Sequence, residues 1–88
     1  MNVRTVSKKE LFSGRPVPIF RDVKLGFTFY VVYDEKTKYF DIYETVKEKI
    51  KDGENIKITH YGYYSYDILP KFFEAYDIKL YIEEDEEE

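Results

Sequence analysis

The 88-residue chain has no cysteine and no glutamine, and only one alanine, one methionine and one histidine. Without cysteine there can be no disulfide, no thiolate nucleophile and no Cys-ligated metal. With His60 as the only histidine, any Ser–His pair must use it, and no elbow motif surrounds Ser65, its nearest serine. The glycines Gly14, Gly26, Gly53 and Gly62 are isolated, so no phosphate-cradling loop is present. Carboxylates are dispersed among lysines or massed at the end, which is a poor metal cage. The central uncharged run, Leu25 to Tyr33, is far short of a membrane span, and no signal-peptide core follows Met1. These absences argue against an enzyme, a cofactor, a metal and a membrane, and point to a soluble cytoplasmic protein.

Leu, Ile, Val and Phe make up 26 of the 88 residues, enough for one core and too many for a disordered chain. Lys, Glu, Ile and Tyr are abundant while Asn, Gln, Cys and Met are scarce. An AT-rich genome would raise several of these residues, but scarcity of the heat-labile ones points to a thermophilic source.

The net charge of −4 hides a gradient. Residues 1–26 sum to +4, residues 27–82 to −2, and the run Glu83 to Glu88 to −6. Six contiguous acids repel one another, so residues 83–88 are expected to form a disordered acidic tail after a single domain over 1–82.

Ser7-Lys8-Lys9-Glu10 has capping-box spacing, which predicts a short helix over 8–13 with Gly14 as a left-handed stop. Pro16 and Pro18 suit an extended segment or edge strand around Val17 and Ile19. Phe27 to Tyr33 and Tyr39 to Tyr43 read as a β-hairpin. Tyr43, Val46 and Ile50 fall on one helical stripe with Gly53 as the stop, predicting a helix over 44–52. Ile56, Ile58 and His60 alternate as a strand, Asp67 and Pro70 open a helix over 68–76, and Ile78, Leu80 and Ile82 alternate as a last strand.

The expected fold class is α+β, a small single domain. It has a three-to-five-stranded mixed sheet, a β-hairpin plus β-α-β-α-β, with helices on one face and right-handed parallel crossovers. The predicted core includes Val46, Ile50, Ile56, Ile58, Ile68 and Phe72 beside Leu11, Phe27, Phe29, Val31, Phe40, Ile42, Leu69, Leu80 and Ile82.

Tyrosine is the excess, with ten copies. Tyr61, Tyr63, Tyr64 and Tyr66 crowd one segment, and with Tyr30 they are the candidate partner-binding residues. Buried phenols need hydrogen-bond partners, and tyrosine gives large contact area at low rotamer cost. The bland alternative is that these rings cover the sheet. His60 shares a strand face with Ile56 and Ile58, so it reads as a partly buried strand-end histidine before it reads as an acid–base pair with Asp41 or Asp67.

The expected function is a small non-enzymatic interaction protein that binds a macromolecular partner, in the first instance a protein, as an inhibitor or adaptor. A narrower version is an acidic decoy, in which the tail with Asp41, Asp67 and Asp77 imitates phosphates. The alternative is a single-stranded nucleic-acid binder using Arg4, Lys8, Lys9, Arg15 and Arg21 with the tyrosines as stacking platforms. The acidic pI of 5.1 and the distance in sequence between those cations and the tyrosine cluster count against it. A homodimer through the sheet's open face or an edge strand is expected, because helices can cover only one face of so small a sheet.

Overall fold

A computed structural model describes residues 1–84 of the chain. Ser7 caps the first short helix as its sequence predicts, its Oγ accepting the Glu10 N–H at 3.0 Å. The Glu10 carboxylate does not complete the box but lies 3.8 Å from Arg4. That helix, α1 (Lys8–Leu11), is shorter than the predicted 8–13 and follows strand β1 (Asn2–Ser7).

Four strands then run antiparallel in simple order: β2 (Val17–Asp22), β3 (Phe27–Asp34), β4 (Tyr39–Ile50) and β5 (Gly53–Tyr64). After a single 3₁₀ turn at Tyr66–Ile68, α2 (Leu69–Glu74) leads into β6 (Ile78–Glu83), which pairs parallel with β1 in a separate two-stranded sheet. The fold is therefore α+β with few helices, a parallel pair and a four-stranded antiparallel sheet.

The predicted helix over 44–52 is a strand. Tyr43, Val46 and Ile50 do have helical spacing, but the β-branched Thr45 and Val46 also suit a pleated surface. Tertiary pairing decides the matter. β4 stays in register with β5 from Tyr43↔His60 to Ile50↔Gly53, and this ladder of backbone hydrogen bonds replaces the helical ones. The proposed β-α-β crossover at that place becomes a hairpin, and the one remaining crossover carries the chain out of the sheet to β1.

The two 12-residue strands extend beyond their neighbours as an arm. The dimensions are 53 × 32 × 25 Å, and the radius of gyration of 14.2 Å exceeds the roughly 12 Å of a compact chain this long. Consequently Ile50, Ile56 and Ile58, placed in the core by their sequence pattern, are more than half exposed. Val46 is half-buried, and Ile68 in the 3₁₀ turn is exposed.

The core forms where one side of the four-stranded sheet meets the second layer. Phe29, Val31, Phe40 and Ile42 pack with Val6, Leu11, Leu69, Phe73, Ile78 and Leu80, all buried. Phe72, expected in the core, is only partly buried, and Phe73 takes that place. The 3₁₀ turn shifts the phase of α2 relative to a helix starting at Asp67. β6 extends through Glu83, and Glu84 lies 3.3 Å from Lys8. The rest of the expected acidic tail, residues 85–88, falls outside the described residues.

Candidate functional site: the open face of the sheet

Strand registry divides the sheet's side chains into two rows. Phe27↔Val46, Phe29↔Glu44, Val31↔Ile42 and Tyr33↔Phe40 belong to the core side. Thr28↔Thr45, Tyr30↔Tyr43 and Val32↔Asp41 point the other way. The buried side chains of β1, β6, α1 and α2 all pack against the first row, and no described element covers the second.

A line of rings crosses this open face. Tyr30 on β3 stacks on Tyr43 of β4, with centroids 5.1 Å apart and planes at 18°. Tyr43 in turn meets His60 on β5 at 5.8 Å and 37°. Cross-strand aromatic pairs of this kind stabilise antiparallel neighbours by a few tenths to about 1 kcal/mol. His60 Nδ1 lies 3.3 Å from Asp41 Oδ1, which orients the imidazole while its side chain stays 63% exposed. Beyond Asp41, Tyr63 completes the face and is 64% exposed.

A bulge explains why the tyrosine cluster splits. Ile42 pairs with Gly62 but Tyr43 with His60, so Tyr61 is the extra residue and turns to the core side. Gly62 at φ +108° supplies the backbone conformation that this requires. Tyr61 packs on Phe29, Phe72 and Tyr76. Tyr64 packs on Phe72 and donates its hydroxyl to the Tyr61 carbonyl at 2.6 Å. Tyr66 lies against Phe12 and Phe40. Of the five tyrosines proposed as contact residues, only Tyr30 and Tyr63 reach the open face. The register supplies Tyr43, which the density of tyrosines in sequence did not single out.

Two clefts flank Tyr30. One, of about 330 Å³, lies by the β2–β3 turn among Arg21, Gly26, Thr28, Tyr30, Thr45 and Lys47. The other, about 380 Å³, is lined by Arg4, Pro18, Arg21, Thr28 and Tyr30. Arg21, Thr28 and Tyr30 are common to both, so the clefts adjoin as one groove at the Tyr30 end of the aromatic line. The turn that builds the groove is tightly held. Gly26 has φ +69°, its N–H donates to the Asp22 carbonyl at 2.8 Å, and its own carbonyl accepts the Lys47 N–H at 3.0 Å. Asp22, the groove's acid, turns its carboxylate to the Leu25 N–H at 3.0 Å.

Arg4 is fixed by donating its Nε–H to the Pro18 carbonyl at 3.0 Å, and Arg21 pairs with Thr28 across the β2–β3 ladder. Lys8 sits on the other layer, over the Tyr66 ring and beside Glu84. Lys9 and Arg15 are exposed and line neither cleft. The fold thus joins two of the five proposed cations, Arg4 and Arg21, to Tyr30. Lys47, which the predicted helix would place on a charged face, is the third. The acids of the decoy reading are dispersed: Asp41 faces His60, Asp77 lies 3.8 Å from the Met1 amine, and Asp67 is in the 3₁₀ turn.

Two phenols titrate above the ordinary tyrosine value. Burial raises Tyr43, helped by the negative charges that Tyr30 and Asp41 can carry. Burial also raises Tyr61, followed by Glu44 and Tyr76. A raised pKa means the folded state holds the proton more tightly than the unfolded chain does. This stabilisation is complete below the unfolded value of about 10 and is lost as pH rises through the folded one. Urea unfolding across that range should show stability falling with pH, and Tyr43→Phe and Tyr61→Phe should each flatten the fall.

Among the described residues no group of His, Asp or Glu could hold a metal ion, and no helix is long and apolar enough to cross a membrane. Comparison with protein-family models, curated proteins and solved structures gives no match.

Proposed function

We propose that the protein is a non-enzymatic binding module for single-stranded nucleic acid, held across the open face of the four-stranded sheet. The observation that carries this reading is the groove beside Tyr30, where Arg4, Arg21 and Lys47 converge on the aromatic line in a chain of net charge −4. The strand register supports it by bringing Arg21 and Lys47 to Tyr30, while the Tyr61–Tyr66 cluster stays away from the groove.

The residue roles follow from the chemistry of the ligand. Arg4, Arg21 and Lys47 meet phosphates, while Tyr30 on the groove side and His60 at the far end offer ring faces to unpaired bases. Thr28 and Thr45 line the same cleft as Tyr30 and offer hydroxyls as hydrogen-bond partners. A protein partner fits less well, because three of the tyrosines that made the contact surface attractive are engaged with the core side.

The test is fluorescence anisotropy with labelled single-stranded DNA and RNA, and with duplexes, over a range of salt. Three phosphate contacts predict a log–log salt slope of about −2 for single strands, with weaker binding of duplex. Absence of binding at low salt would refute the reading. So would equal competition by polyglutamate, which would indicate an acidic protein segment as the ligand.

A further inference from the structure

The four-stranded sheet has two edges, and they are treated differently. On the β2 edge, Pro18 removes a donor, a bulge between Pro18 and Phe20 breaks the register, and the Arg4 guanidinium occupies the Pro18 carbonyl. Each is a recognised way to stop an edge from pairing with another chain. The β5 edge has none of them between Gly53 and His60. That stretch contains no proline, stays in continuous register with β4, and lies on the arm beyond the covered core. Its outer row carries Ile56 and Ile58, which are 58% and 57% exposed. A long, regular edge with unpaired backbone groups and bare isoleucines is built for strand addition.

We propose that the occupant of this edge is a second copy of the chain, with β5 pairing antiparallel to its counterpart about a two-fold axis at Ile58. Side-chain complementarity selects that register. With the axis at Ile58, Ile58 meets its own copy and Ile56 meets His60 on the open face. On the other face Lys57 meets Thr59 and Asn55 meets Tyr61. No like charges are opposed. An axis at Lys57 would set two lysines directly opposite each other, which is destabilising in a cross-strand pair. An axis at Ile56 would place Glu54 against Ile58 and shorten the paired stretch towards the hairpin tip. The bulge at Tyr61 limits the pairing at the other end.

The assembly is an eight-stranded antiparallel sheet. A two-fold axis normal to it keeps both open faces on the same side, with the two aromatic lines in one continuous surface. Each copy thereby extends the other's binding face. The pairing itself does not depend on what that face binds.

The chain's lack of cysteine makes the register directly readable. Ile58→Cys places two thiols opposite each other at a Cα separation of about 4.5–5.5 Å, within disulfide range. Mild oxidation should convert this variant largely to a covalent dimer, whereas Ile50→Cys, exposed on β4 of the same arm, should stay monomeric. Sedimentation of the native chain should give twice the 10.7 kDa monomer mass at high concentration, and Ile58→Lys should abolish it. Ile58 is exposed, so the lysine leaves the monomer folded, which circular dichroism checks. A native chain that sediments as a monomer at every concentration would overturn the proposal. So would stronger cross-linking through Lys57→Cys than through Ile58→Cys. A native chain that binds oligonucleotide but never dimerises would refute this inference alone.

Discussion

Phe73→Ala should cost about 3–5 kcal/mol, the largest loss expected from any single aromatic truncation in α2. Phe73 is fully buried and meets Phe29 edge-on at 5.8 Å and Phe72 at 5.1 Å. It fills the space between the sheet and α2 together with Leu69, so its removal leaves a cavity enclosed by both layers. A domain this small has only about 5–15 kcal/mol in total, so the variant is expected to unfold at a markedly lower denaturant concentration. Phe72→Ala is the informative comparison. That ring touches Phe29, Tyr61, Tyr64 and Tyr76 but remains partly exposed. It should cost about 2 kcal/mol, in proportion to the area it keeps from water. Denaturant unfolding of both variants checks the order. Equal losses would mean that the phase of α2 differs from the one described.

The second large effect concerns binding. Tyr30→Ala should weaken single-stranded oligonucleotide binding by about 1–3 kcal/mol, roughly 5- to 150-fold, because it removes one stacking face. It also removes the partner on which Tyr43 rests. Arg21→Ala should act on a different variable. Arg21 lines both clefts, so its loss should reduce affinity and make the salt slope shallower by about 0.7. Tyr63→Ala should have a smaller effect, since Tyr63 lies beyond Asp41 and away from the groove cations. Anisotropy titrations at several salt concentrations separate a lost stacking contact from a lost phosphate contact. A Tyr30→Ala protein that binds like the native chain would remove the aromatic line from the account.

Local chemistry made much of the fold legible. The serine cap at Ser7, the prolines at 16 and 18, the aromatic strand from Phe27 and the alternation from Ile78 all specify structure through residues close in sequence. The segment 44–52 was not legible, because its charges and apolar spacing satisfy a helix locally. Only pairing with Gly53–His60, a tertiary event, decides for strand. That one reassignment accounts for the exposed Ile50, Ile56 and Ile58, and it brings Lys47 to the groove. β1 was invisible for a related reason: its partner β6 lies at the other end of the chain.

The candidate site was legible in its ingredients and not in its arrangement. Tyrosine density points to 61–66, but a single bulge resets the alternation after Tyr61, so that Tyr64 joins Tyr61 inside and Tyr63 is left outside. Tyr43 stood outside that cluster and is central to the face, because register, rather than proximity in sequence, puts it between Tyr30 and His60.

The most direct test of the central claim is an NMR titration of the isotope-labelled chain with a short single-stranded oligonucleotide. Binding to the open face predicts progressive shifts at Arg21, Thr28, Tyr30, Tyr43, Lys47 and His60, with Tyr66 and Phe73 on the opposite side unchanged. Shifts centred instead on Lys8, Lys9 and Arg15, or no shifts at low salt, would contradict it.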